Sequence, residues 1–130
     1  MLYVVDTHPL VWFLAGDSRL SQTAKAILDD PGQGNRLAVP TIVLAEAWDL
    51  ARKKKINIPF TDIIRAVRAT KALLWPLQLS TINQFPGQLA DIHDEVIIAT
   101  ALELQVSYSA ACIVTKDPLI KGLKIVTCIW

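Results

Sequence analysis

The run Leu2-Tyr3-Val4-Val5-Asp6-Thr7 narrows the choice of fold more than any other stretch of this chain. Apolar residues, two of them β-branched valines, lead without polar alternation into an aspartate. An unbroken apolar run ending at a polar turn suits a strand buried on both faces, as in a parallel sheet covered by helices. In such sheets, ligands bind beyond the carboxyl ends of the strands, so a central first strand puts Asp6 on the floor of that crevice. Asp6 or Thr7 would also cap a following helix well, and the sequence leaves both roles open.

Helix and strand signals then alternate. Residues 9–15 read as a helix with no polar face, ended by Gly16 and expected to be buried or at an interface. Ser21 caps a helix reaching Leu28, residues 37–39 read as a short strand, and Pro40-Thr41 opens a helix to about Lys55. Thr61 is expected to cap a helix to about Thr70. Residues 73–79 read as a strand kept near an edge by Pro76. Ser80 opens a short helical turn, residues 110–115 form a second buried strand, and residues 123–129 a last one. Short links between alternating elements predict one α/β domain over residues 1–130, with a mostly parallel central sheet flanked by helices on both sides.

Composition excludes more than it identifies. The net charge of +1 gives no global field toward nucleic acid, so any such contact must come from a local patch. The chain is 52% hydrophobic with four tryptophans, a surplus that suggests a partner or a second copy covering apolar surface. Cys112 and Cys128 lie in apolar runs without metal-type spacing and read as reduced core residues of a cytoplasmic protein. The N-terminus lacks a basic signal-peptide region, and no run reaches the ~20 apolar residues of a membrane span.

Four acidic positions carry the chemical information. Asp6 ends the first strand. Glu46 sits in an apolar helix with Ile42, Val43, Asp49 and Leu50 one turn away, none of them a cation. An unpaired carboxylate there must be compensated, by a metal ion or by an arginine from elsewhere, unless it points to solvent. Asp91 and Asp94 share one face of a helix's first turn, where capping alone would accommodate them, although Glu95 adds a third acid. Asp117, before Pro118, leaves another strand end and also suits an N-cap. In a parallel sheet these positions gather at one edge. Carboxylates gathered without histidine or cysteine repel one another unless a hard cation such as Mg²⁺ or Mn²⁺ neutralises them. Such a site suits hydrolysis of a phosphate-bearing substrate.

The segments Val4-Val5-Asp6-Thr7, Thr41 to Glu46, Asp91-Ile92-His93-Asp94 before Ile97-Ile98-Ala99-Thr100-Ala101, and Val114-Thr115-Lys116-Asp117 resemble those of PIN domains, above all the VapC-type toxins of toxin–antitoxin pairs. The resemblance extends over essentially the whole chain. It implies a Mg²⁺- or Mn²⁺-dependent endoribonuclease, usually a homodimer, inhibited by a cognate antitoxin. By position it assigns Asp6 and Asp94 as the most direct metal ligands, Glu46 as the helix glutamate, Asp117 as the last acid and Asp91 as the first acid of the DxxD turn. Glu95 departs from the arginine many relatives carry and is expected to change the charge beside the RNA path. Thr7, Lys116, Arg52 and Lys53 are candidate RNA contacts, and the Trp12-Phe13 helix a candidate antitoxin groove. The competing reading is a catalytically inactive domain of this fold that binds RNA or protein. A phosphoacceptor receiver is disfavoured because no acid follows the strands near Val39 and Leu79, and a DxD phosphatase because position 8 is His8.

Overall fold

The first strand forms where its apolar run predicts, as β1 (Leu2–Val5), and takes the centre of the sheet. A computed structural model describes all 130 residues. The strands β2 (Arg36–Pro40), β3 (Leu73–Trp75), β4 (Ala111–Val114) and β5 (Cys128–Ile129) complete a sheet of order β3-β2-β1-β4-β5. Every pairing is parallel. Val4, Val5, Val39, Ile113 and Val114 are essentially inaccessible. Burying a side chain of this kind contributes roughly 1.5–3 kcal/mol, which explains why the central strands read as continuous apolar runs.

Helices α1 (Thr7–Ala15) and α2 (Gln22–Asp29) link β1 to β2. Helices α3 (Thr41–Arg52) and α4 (Phe60–Ala69) link β2 to β3. The chain then reverses direction across the sheet through α5 (Leu79–Ile82) and α6 (Ile92–Tyr108), and α7 (Pro118–Leu123) leads to β5. Right-handed crossovers that reverse direction place their helices on opposite faces of the sheet. The reversal makes the β1–β4 boundary a topological switch point, with a crevice beyond the two carboxyl ends.

Several boundaries differ from expectation. Helix α3 stops at Arg52 because Lys53 leaves the helix and Lys54 turns left-handed (φ 56°), so Lys53 to Lys55 lie beyond it. Pro59, not Thr61, is the N-cap of α4, and no side chain caps the helix. Pro76 lacks an N–H for the ladder, and β3 ends at Trp75 on the sheet edge. The last strand shrinks to Cys128–Ile129 because the Asp117-Pro118 start carries a helix to Leu123, and Lys124 (φ 57°) ends it. Both cysteines are free. No helix is long and apolar enough to cross a membrane.

The edge strand and α5 are tied to α6 through one buried carboxylate. Glu103 accepts hydrogen bonds from Trp75 Nε1 at 2.7 Å, Thr81 Oγ1 at 2.6 Å, Gln78 Nε2 at 3.4 Å and the Ser80 hydroxyl. Burial alone would raise its pKa, but these donors outweigh it and hold the group below the ordinary glutamate value. Glu103→Ala should therefore lower the unfolding free energy by about 3 kcal/mol, the cost of stranding these donors. Glu103→Gln should cost less, both read from denaturant midpoints at unchanged slope.

Candidate metal centre at the sheet edge

At the switch point, the strand ends hold each other in register. Val5 pairs with Val114, so the next residues, Asp6 and Thr115, face each other. Thr115 Oγ1 donates to Asp6 Oδ2 at 2.6 Å, and the Thr7 N–H donates to Asp6 Oδ1 at 2.7 Å. Asp6 is thus the N-cap of α1 and also part of the edge cluster; the two readings of its role are compatible. Thr115 Oγ1 accepts from the Asp117 N–H at 3.0 Å, and Asp117 in turn caps α7 through the Leu119 N–H at 2.8 Å. One threonine therefore positions two acids.

Glu46, one turn into α3, reaches the same edge from the other side. Its Oε1 accepts from the Thr7 hydroxyl at 2.9 Å, and its Oε2 lies 3.8 Å from His93 Nδ1. Asp91 caps α6 by accepting from the His93 N–H at 2.9 Å, and its Oδ1 lies 3.3 Å from His93 Nδ1. No arginine or lysine pairs with Glu46.

The electrostatics are unbalanced. Burial, followed by repulsion from Asp117, Asp91, Asp6 and Glu46, pushes the Asp94 carboxyl up to about 7. Every influence on Asp94 acts in the same direction. Asp6 is also raised, chiefly by burial, although the Thr115 and Thr7 hydrogen bonds oppose it. Burial likewise raises Glu46, against the Thr7 hydroxyl and His93. The histidines relieve Asp6 and Glu46 in part, and Asp94 is left without relief.

A donor set made of carboxylates suits a hard divalent cation. No three acids or histidines are close enough, as they stand, to form a complete ligand group. Mg²⁺ commonly binds through only one or two carboxylates while keeping several waters. The residues fit a hydrated Mg²⁺ or Mn²⁺ better than a fully protein-caged ion.

The other candidates fall differently. Thr7 is 1% exposed and spends its hydroxyl on Glu46, so it lies inside the protein and positions that acid. Arg52 and Lys53 are exposed but paired with Asp49 at 2.6 and 2.7 Å. Lys116 is exposed and lines a pocket with Asp6 and Asp117. Glu95 corrects an expectation: at 6% exposure it is turned into the protein, with Oε2 lacking a hydrogen-bond partner, so it adds no acid to the exposed surface. Sequence reasoning named Thr115 only within a motif and gave it no role of its own at the site. The signal for Thr115 was a hydroxyl at the end of a buried strand, two residues before an acid.

An α/β sheet of this order, with acids gathered at its switch point, defines the class of the protein. The sequence matches the PIN domain family over residues 3–124, and the chain belongs to that family. Among solved structures, it is similar to a chain in the crystal structure of VapBC2 from Rickettsia felis bound to a DNA fragment from their promoter. That likeness has a TM-score of 0.72 at 14% identity and covers 99% of this chain and 98% of the other. No curated protein matches the sequence.

The raised Asp94 pKa has a consequence for stability. Between the usual aspartate range and about pH 7, the folded protein binds a proton that the unfolded chain releases. Asp94 therefore contributes stability at low pH that is lost as pH rises through about 7. Without divalent metal, Asp94→Asn should unfold at a higher temperature than wild type at pH 8, with the gap narrowing toward pH 5. A lower melting temperature for the variant at pH 8 would contradict the uncompensated charge.

Proposed function

We propose that this chain is a Mg²⁺- or Mn²⁺-dependent endoribonuclease of the VapC type, the toxin of a toxin–antitoxin pair. The observation that carries the reading is Asp94, which Asp117, Asp91, Asp6 and Glu46 all repel and on which no cationic side chain acts. Membership of the PIN family supports it. A bound ion would polarise the scissile phosphate and lower the pKa of its water.

The chain's own residues supply positioning. Asp6 and Asp94, with Glu46, Asp117 and Asp91 around them, would hold the ion. Thr115 and the Thr7 backbone occupy two of the roughly four acceptor positions of Asp6 and leave the others free. Lys116, exposed beside Asp117, suits a phosphate of the RNA, whereas Arg52 and Lys53 must first leave Asp49 to do so.

A cognate antitoxin is proposed as partner, supported by the likeness to the VapBC2 structure and by the half-buried Trp12 and Phe13 on α1. A homodimer is proposed because Leu77, Leu79 and Ile82 stand 42%, 73% and 46% exposed around α5. A cytoplasmic location fits the free thiols. The lack of a ready three-ligand group favours the second reading, an inactive module that binds RNA or protein.

Cleavage of a labelled structured-RNA panel separates the two. With Mn²⁺ or Mg²⁺ the purified protein should cut, and EDTA should stop it. Asp6→Asn and Asp94→Asn, purified identically, should each lose about 100-fold or more, as expected for the ion's most direct ligands. Equal cutting by Asp6→Asn would sink the nuclease reading.

A further inference from the structure

We propose that the pocket between α1 and α7, beside the acids, binds one unpaired nucleobase next to the phosphate that is cut, with Trp12 as the stacking residue. The proposal rests on the nuclease reading and names what that site would take hold of. The pocket measures about 470 Å³, within the usual range for small-molecule sites. Asp6 and Asp117 are part of its lining, so an occupant lies beside two acids of the candidate metal centre. Trp12 and His8, one turn apart on α1, supply aromatic surface, and Leu119 from α7 stands 63% exposed with no partner of its own.

The tryptophan is pre-set. Trp130 meets it edge-on at 6.0 Å, and the Arg19 guanidinium sits 4.9 Å from its ring centroid. Arg19 is fixed in turn by Asp17 at 2.7 Å. Neither Trp130 nor Arg19 lines the pocket, so both brace the ring from outside it. Lys116 does line it, with Nζ 5.8 Å from the same ring. The lysine is exposed and able to move its ammonium onto a phosphate while the base takes the ring.

These features select among ligands. A cationic side chain from a protein partner would be drawn to Asp6 and Asp117, but it would meet two cations already placed on Trp12. A neutral flat base joined to an anionic backbone satisfies both the ring and Lys116. Stacking is tolerant of base identity, and a base in a duplex has no free face to offer. The substrate class is therefore single-stranded or looped RNA.

The test uses short single-stranded RNA carrying 2-aminopurine at successive positions, titrated with the full chain in the Asp94→Asn background, where cleavage should be absent. One position should be quenched, and the matching duplex should not be. Trp12→Ala should abolish the quenching and weaken binding by about 5- to 100-fold, the range expected for losing one stacked base. Trp12→Phe should retain most of the affinity. Leu119→Ser, at an exposed position that does not endanger folding, should weaken binding several-fold. In the cleaving protein, Trp12→Ala should raise KM while leaving kcat and Mn²⁺ affinity nearly unchanged. Quenching that survives Trp12→Ala, or an equal response to duplex RNA, would overturn the proposal. A joint loss of kcat and Mn²⁺ affinity would overturn it too, because Trp12 would then merely prop Asp6. Loss of binding to a protein partner with RNA quenching intact would reassign the pocket to protein docking. If the wild type cuts no RNA but shows Trp12-dependent quenching, the nuclease reading fails and the base pocket stands.

Discussion

The parallel register of β1 against β4 sets everything that happens at the sheet edge. Pairing Val5 with Val114 brings Asp6 opposite Thr115 at the point where the strand order reverses. The 2.6 Å hydrogen bond between them joins residues 109 apart in sequence. From that pair the rest follows by short steps: Thr115 sets Asp117, Thr7 sets Glu46, and Asp91 starts α6 so that Asp94 faces inward among them. A one-residue slip of β1 would turn Val4 and Val5 to the opposite faces and move Asp6 away from Thr115. The buried valines therefore specify the site as much as its acids do.

The edge works against folding and the core supports it. Gathering carboxylates in a partly buried crevice raises Asp94 to about 7 and pushes Asp6 and Glu46 upward as well. The fold tolerates this because Asp6, Asp91 and Asp117 are each given a backbone N–H at a helix start, where negative charge is favoured. The contacts that cap these helices thus also fix acids of the candidate site. Asp94 has no such relief, which marks it as the acid with most to gain from a cation. Glu103 offers the contrast: it is more deeply buried, but four donors satisfy it, and it serves the architecture.

What was legible in the sequence divides along physical lines. The central strands were visible because burial on both faces leaves unbroken apolar runs, and the acids were visible because each ends such a run or interrupts one. The partners of those acids were not visible. Thr7 and Thr115 are ordinary polar residues until the register places them against Glu46 and Asp6. The inward turn of Glu95 depends on helix rotation that its neighbours in sequence do not reveal. Trp12 read as core or interface because the helix around it is apolar on every side, and only the position of α7 opens a pocket against it. The helix ends set by Lys54 and Lys124 were missed because left-handed lysines give no signal in composition.

We propose that a divalent cation completes the unbalanced charge of this edge. Calorimetric titration of Mn²⁺ at pH 7, repeated in buffers of different ionisation heat, tests it most directly. A carboxyl with a pKa of about 7 is half protonated there, so binding should release about half a proton per ion. Asp94→Asn should remove both the release and most of the affinity. Absence of Mn²⁺ binding up to millimolar concentration, or binding of equal strength by Asp94→Asn without proton release, would contradict the account.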